Sequence, residues 1–308
     1  MNAVTAPSSS VALKQKLILL AHGASTEITP RDVGLLPTLA RRFAPGRTIY
    51  VAHPPKSTLD DVVRTALQVE ALGFKACPHI VARRLVSERA LREALTELRD
   101  GAVEQALLIG GDPEKPVGKF SSTLEVLETG ATVEFGFANL GVAGHPEGHR
   151  AIGSAMLWNA LREKQTFAER TGTRIQIVTQ FGFNPQAIVA WFRWLDEHGI
   201  HLPVRVGLAG PTPFPKLIKF AMQCGIRGSL AALIRNMSAM NQLTHLATSP
   251  DELLVGLVQG LDGEAVGRFQ GIHLYSFGGA VATGQWLHAV ENGSFDLSPE
   301  RDRFSMHP

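Results

Sequence analysis

A chain of 308 residues, 44% hydrophobic and 19% charged, is long enough to bury a large core and belongs with globular α/β proteins. Its net charge of +2 argues against a nucleic-acid partner, and no apolar run reaches membrane-span length. Cys77 and Cys224 have no metal-ligand spacing and read as inert thiols of a reducing compartment. Met1 to Ser10 is small and polar, with no apolar signal core before Leu17. Residues 1–15 are therefore expected to form a disordered tail on a cytoplasmic protein.

From there the pattern alternates. Lys16 to Ala21 is a continuous apolar run and predicts the first strand, with a loop from His22 to Pro30 carrying Glu27. Asp32 to Phe43 reads as a helix, Thr48 to Ala52 as a strand, and Leu59 to Leu72 as an amphipathic helix capped by Ser57 or Thr58. A strand from Lys75 to Ile80 is followed by a helix opened by Ser87. Ala106 to Asp112, Ala-Leu-Leu-Ile-Gly-Gly-Asp, is the profile of a buried parallel strand that ends at a functional loop. Gly110 and Gly111 let a flat ligand approach the backbone, and Asp112 offers it one negative charge. A turn without function has the same composition.

A short helix toward Glu128 precedes a strand from Phe137 to Ala143, which ends in Gly144-His145-Pro146-Glu147-Gly148-His149. A long helix from Ala151 to Arg170, a strand from Arg174 to Gln180 and a helix from Gln186 to His198 come next. Val204 to Ala209 is a strand leading to Phe214, residues 228–260 look helical, and Gly271 to Ser276 and Ala280 to Val290 are the last strand and helix. The tail from residue 293 to 308 is polar.

Eight strands alternating with helices predict an α/β fold, a (β/α)8 TIM-type barrel spanning residues 16–292 as a single domain. An open doubly wound sheet is the alternative, but no Gly-x-Gly-x-x-Gly turn follows any strand. In a parallel barrel the site lies at the carboxyl ends of the strands. Those ends carry Glu27, His53, His79, Asp112, His145, His149, Gln180 and Phe214. His145 and His149 lie four apart, but Pro146 intervenes and a third ligand is lacking, so no metal is expected. Trp191, Phe192, Trp194 and Leu195 read as the packing face of a helix. No Ser-His-Asp order or Gly-x-Ser-x-Gly elbow occurs.

Five segments in order resemble the methylenetetrahydrofolate reductase family: Ser25-Thr26-Glu27 with Pro30, Gly111-Asp112-Pro113, His145 to His149, Thr179-Gln180-Phe181, and Gly207 to Phe220. The resemblance spans roughly Leu17 to Leu287 and implies a TIM-type barrel that binds FAD without a Rossmann domain. It implies hydride transfer from NAD(P)H through FAD to methylenetetrahydrofolate. Glu27 would be the general acid, a role that needs a carboxyl protonated near neutral pH. Asp112 would lie beside the flavin pyrimidine edge, Gln180 would bind the pterin, and Phe214 would stack on substrate. His53, His79, Ala143, His145, His149 and Lys164 fall at FAD-contact positions, as do Phe120 and Ser121. Lys164 would pair with the pyrophosphate; the alternative is an exposed helix lysine. The family also suggests a homo-oligomer.

Departures accompany these matches. Gly110 stands where the family has arginine, His145 replaces a tyrosine, and Gly278-Gly279 replaces Asn-Arg. The segment Ser-Thr-Glu-Ile-Thr-Pro-Arg is less aromatic than its counterpart, and the helix between Lys164 and Gln180 is longer by about a turn. The electron partner and the direction stay open at this level. Two other readings remain: a flavin-free barrel lyase or hydrolase using Glu27, Asp112 and the histidines, and a non-catalytic flavin- or folate-binding component of a complex.

Overall fold

The computed structural model describes residues 9–137, 139–149, 151–223, 247–261 and 263–307. Its centre is a closed barrel of eight parallel strands: β1 (Ser25–Ile28), β2 (Thr48–Val51), β3 (Lys75–Val81), β4 (Gln105–Ile109), β5 (Asn139–Gly144), β6 (Arg174–Thr179), β7 (Val204–Ala209) and β10 (Phe269–Tyr275). β1 pairs with β2 on one side and β10 on the other, closing the ring. Between β7 and β10, β8 (Thr212–Pro213) and β9 (Ala247–Thr248) form a short antiparallel ladder outside the barrel. The fold is a (β/α)8 TIM-type barrel.

The first strand is not where the sequence pattern puts it. Lys16 to Ala21 lies inside α1 (Ser9–His22). Leu13, Leu17 and Ala21 are buried at a spacing of four while Leu19 is 67% exposed, so the run has a helical face rather than two buried strand faces. That face packs on the helices Asp251–Gly260 and Ala280–Glu291. Ser9 to Gln15, expected in the tail, are the first turns of the same helix. β1 itself is buried at all four positions, which moves Glu27 from a loop into the barrel wall. The polar tail also has structure. β11 (Phe295–Leu297) and β12 (Phe304–Met306) form a hairpin anchored by buried Phe295 and Phe304, whose ring centroids lie 4.5 Å apart.

Elsewhere the expected elements hold to within a few residues. The sequence-predicted helix from Asp32 is a 3-10 turn, Pro30–Leu35, running into the short helix α2 (Leu36–Ala40). α3 (Leu59–Ala71) is capped by Thr58, which accepts from the Asp61 amide, and α4 (Glu88–Asp100) by Ser87. The helix toward Glu128 is α5 (Thr123–Glu128), followed by the single turn α6 (Ala131–Glu134). α7 spans Ser154–Thr171. α8 (Pro185–Glu197) is capped by Asn184 with proline in its first turn, and α9 spans Phe214–Gln223. Much of the expected helical stretch 228–260, and Cys224, fall outside the described residues. Among the described residues no helix is long and apolar enough to cross a membrane.

The strands alternate strictly. Ile49, Val51, Ala76, Ala106, Leu108, Val142 and Ile177 join the core between barrel and helices. The intervening Tyr50, Cys77, Leu107 and Val178 form a separate cluster inside the barrel. Register puts Glu27 beside Tyr50, Tyr50 beside Cys77, and Ser25 beside His273 on that inner side. Barrel interiors are ordinarily packed with branched apolar side chains. This one instead carries a carboxyl, two imidazoles, a phenol and a thiol on adjacent strands.

Candidate functional site

The carboxyl ends of the barrel strands open on a cleft of about 2230 Å3. That is more than twice the roughly 1,000 Å3 at the upper end for ordinary small-ligand sites. Strand-end residues converge on it. β1 contributes Glu27, the turn after β2 His53, and β3 His79. Gly110, Gly111 and Asp112 follow β4, with Ser121 farther along the same connection. Ala143, His145 and His149 come from β5 and its loop, Lys164 from α7, and Gln180 from the end of β6.

Two expected contacts are not brought to the cleft. Phe120 is 2% exposed and packed in the outer core, with the Lys119 ammonium over its ring. Phe214, the first residue of α9, stays outside the cleft wall, and the helix presents Ile218, Lys219 and Phe220 instead. Both misplacements are a matter of phase. An aromatic beside a loop is anchored in the core when its side of the chain faces inward.

Glu27 is the chemical centre of the floor. Burial raises its pKa from 4.5 to about 8, and the Asp32 carboxylate adds to the effect. Asp32 is held in place by the Thr29 amide at 2.9 Å and the Thr29 hydroxyl at 2.8 Å, both donating to Oδ2. Glu27 therefore keeps its proton at neutral pH and can act as an acid.

The imidazoles beside it are neutral. Burial, then the charge of His53, pushes His79 down to about 3. His53 is also lowered, by burial and by Arg84. His53 Nε2 lies 3.1 Å from the Ser57 carbonyl, while His53 Nδ1 and His79 Nε2 are buried with no partner among the described residues. Across the cleft, burial lowers His145 to about 4, helped by His149 and Lys164. The His145 and His149 rings meet edge to face at 5.1 Å, and among the described residues no three potential ligands gather as a metal site. Lys164 is 8% exposed, and burial lowers its pKa from 10.5 to about 8 with only partial compensation from Glu163. Cys77 is inert: it is buried, and burial pushes its thiol well up.

The β4 loop explains its glycines. Gly111 has φ +94°, and a β-carbon on it would lie 2.3 Å from Val81 Cγ1. At Gly110 a β-carbon would meet nothing within 4 Å, so its free side faces the cleft. Gly111→Ala is expected to lose about 2 kcal/mol in urea denaturation, whereas Gly110→Ala should stay within about 0.5 kcal/mol of wild type. Equal losses would mean that the two glycines do not differ as their surroundings require. Two arginines stand in the turn after β3. Arg83 Nε donates to Ser121 O at 2.9 Å and its Nη1 to Pro113 O at 3.2 Å, while Arg84 Nη1 donates to His53 O at 2.6 Å. Both arginines line the cleft.

The opposite wall is aromatic. Tyr275 donates its hydroxyl to Thr179 O at 2.9 Å, and Phe181 stands edge-on to Phe277 at 4.9 Å. Phe181, Phe220, Tyr275 and Phe277 all line the cleft. Trp191, Phe192 and Leu195 are buried as the packing face of α8, although Trp191 and Trp194 also reach the cleft edge. Arg83, Arg84, Phe220, Tyr275 and Phe277 are the wall residues that sequence reasoning missed. The signal for Phe277 was available, since it is two residues past the end of β10.

No family model matches the chain. Among solved structures it is similar to dihydropteroate synthase from Thermus thermophilus, with a TM-score of 0.44 and 14% identity over 85% of this chain and 91% of that one. It is also similar to a provisionally assigned lyase/mutase from Burkholderia cenocepacia, with a TM-score of 0.48 and 11% identity over 90% and 87% of the two chains. Both likenesses are loose. The fold rests on the eight parallel strands themselves, and the chemistry on the residues of the cleft.

Proposed function

We propose that the protein is a flavin-dependent oxidoreductase that interconverts methylenetetrahydrofolate and methyltetrahydrofolate by hydride transfer through FAD, with NAD(P)H as electron donor. The observation that carries this reading is Glu27: a carboxyl that holds its proton near neutral pH, on the floor of a cleft large enough for a dinucleotide and a second ring system. The five ordered segments that resemble the methylenetetrahydrofolate reductase family support it.

The chain's own residues fit FAD. His53 Nδ1 and His79 Nε2 are buried polar atoms without partners among the described residues, and such atoms in a cleft are candidates for ligand hydrogen bonds. Lys164 is a nearly buried ammonium with no carboxylate contact among the described residues, a setting that favours an anionic group such as a pyrophosphate. Gly110 leaves its side of the cleft open to a flat ring. When bound, FAD would carry the hydride between the nicotinamide and the folate.

The protein's share is positioning and proton transfer. Glu27 holds a proton on its carboxyl and gives it to the folate nitrogen that departs as the five-membered ring opens. Asp112 puts a negative charge at the end of β4, and Gln180 offers an amide to the pterin. Neutral His79 and His145 add no positive charge that would draw the proton off Glu27. Purified protein is expected to be yellow or to become so on adding FAD, and anaerobic mixing with NADH, NADPH and methyltetrahydrofolate in turn should bleach the flavin with at least one of them. Colourless protein that takes up no FAD would sink the reading.

A further inference from the structure

Arg83 and Arg84 end the 3-10 turn Ala82–Arg84, which follows β3. Ala82 and the next residue in the chain, Leu85, are buried in the core between barrel and helices, and the Leu85 amide closes the turn on Ala82 O at 3.1 Å. The turn is thus a fixed point between two strand-end loops. One loop, residues 53–57, follows β2, and the other, residues 110–121, follows β4. The first brings His53 to the cleft and the second Asp112.

Arg83 holds the second loop in four places. Its amide donates to Gly110 O at 3.0 Å, and its carbonyl accepts from the Val117 amide at 2.9 Å. Its guanidinium takes Pro113 O and Ser121 O. Between Gly110 and Val117, every main-chain hydrogen bond present among the described residues ends on Arg83. Glycines bring the two backbones together: Gly111 lies over Val81, and a β-carbon on Gly118 would lie 2.4 Å from Leu85 O and from Val86 O. No hydrogen bond or ion pair holds the Asp112 carboxylate among the described residues, so its place in the cleft is set by its main chain. Arg84 serves the first loop. That loop folds on itself, with the Ser57 amide and hydroxyl both donating to Pro54 O, and Arg84 Nη1 ties it to the turn through His53 O. His53 Nδ1 is left buried without a partner among the described residues.

We propose that Arg83 and Arg84 are positioning residues: from one core-anchored turn they fix the loops of Asp112 and His53, and so set where these two groups meet a ligand. That the ligand is a flavin rests on the reading above; that the two arginines hold the loops does not. Only a guanidinium presents its donors in a rigid planar fork, so lysine cannot take the place of Arg83. Arg83 acts on a bound flavin through Asp112. A carboxylate beside the pyrimidine edge disfavours the anionic reduced flavin and lowers its potential. Releasing the loop therefore raises the potential, because Asp112 moves away. Direct action of the Arg83 charge has the opposite sign, because removing a nearby cation lowers the potential.

The test uses the full chain with and without FAD. In hydrogen exchange of the ligand-free protein, Arg83→Met should speed exchange of the Val117 amide by about tenfold, as suits the loss of a charge-assisted hydrogen bond, and leave the Ser57 amide near wild type. Arg84→Met should do the reverse. Gly118→Ala keeps the arginine but pushes the loop off the turn, and should act on Val117 as Arg83→Met does. With FAD bound, Arg83→Met and Arg83→Lys should both raise the flavin midpoint potential, the second although it keeps the charge. Neither should shift it further in an Asp112→Asn background. If Arg83→Met fails to fold, Arg83→Lys and Gly118→Ala decide. Unchanged exchange at Val117 in the Arg83 and Gly118 variants overturns the proposal. So does a potential that falls in Arg83→Met, or one that rises equally with and without the Asp112 carboxylate. Loop-specific changes in exchange without FAD uptake would overturn the flavin reading alone, and FAD uptake with unchanged exchange would overturn the positioning role alone.

Discussion

Glu27→Gln is expected to stabilise the protein and, in the same step, to disable the folate half-reaction. In the folded chain the Glu27 pKa is raised from 4.5 to about 8, chiefly by burial. A carboxyl whose folded pKa is raised contributes its full share of stability below 4.5 and loses it as pH rises through 8. By then the loss amounts to at most about 5 kcal/mol, and at pH 7 to at most about 3 kcal/mol. Glutamine has nearly the same shape and does not titrate. The variant should therefore match wild type at about pH 4 and draw ahead of it steadily toward about pH 8, read as urea midpoints at several pH values. A gap that does not change with pH would mean that the carboxyl is not held in its protonated form. On the catalytic side, the wild-type folate half-reaction should slow as pH rises through about 8. The variant should lack that limb and be slower by about a hundredfold or more. Equal losses in flavin reduction by NAD(P)H and in the folate half-reaction would argue against an acid role.

The same carboxyl shows why the first strand was hidden. Ser-Thr-Glu-Ile holds one aliphatic residue because its inner face carries Ser25 and Glu27, whereas the apolar run before it is a helix that covers the barrel. A short unbroken apolar run carries no period of its own, so a strand and the apolar stretch of a helix look alike. The other seven strands were legible because their outward faces are aliphatic and their ends are marked by Gly, Pro or His. The strand-end rule then found one half of the cleft, the histidines, Glu27, Asp112 and Gln180. It missed the other half for a different reason. Tyr275 lies within a strand and reads as core, while Phe277 stands at a strand end where the rule applied, but its bulky side chain gives no sign of the positive φ it adopts in the cleft wall. Phe214 and Phe220 stand on the same helix, and only its phase decides which ring faces the cleft. The arginines of the β3 turn were passed over because charged residues in a turn usually face solvent, yet here they tie the β2 and β4 loops together.

Lys164→Met should separate a cofactor site from a packing role. Burial lowers the Lys164 pKa from 10.5 to about 8. A base with a depressed folded pKa contributes stability that is present above 10.5 and lost as pH falls through 8. At pH 7 the protein without ligand therefore carries a penalty of at most about 3 kcal/mol for keeping this ammonium out of water. Methionine retains an unbranched apolar stem and removes the charge, so the ligand-free variant should be the more stable protein. An anionic ligand reverses the order. A pyrophosphate beside Lys164 satisfies the ammonium, so FAD should raise the melting temperature of wild type more than that of the variant, and its affinity for the variant should fall by about a hundredfold. The two measurements close a cycle, because the penalty relieved by the substitution is the same one relieved by the ligand. Equal ligand-free stabilities and equal gains from FAD would make Lys164 an ordinary helix lysine whose stem covers apolar surface. Greater stability without FAD together with a smaller gain from it is the pattern of a charge kept in the cleft for its ligand.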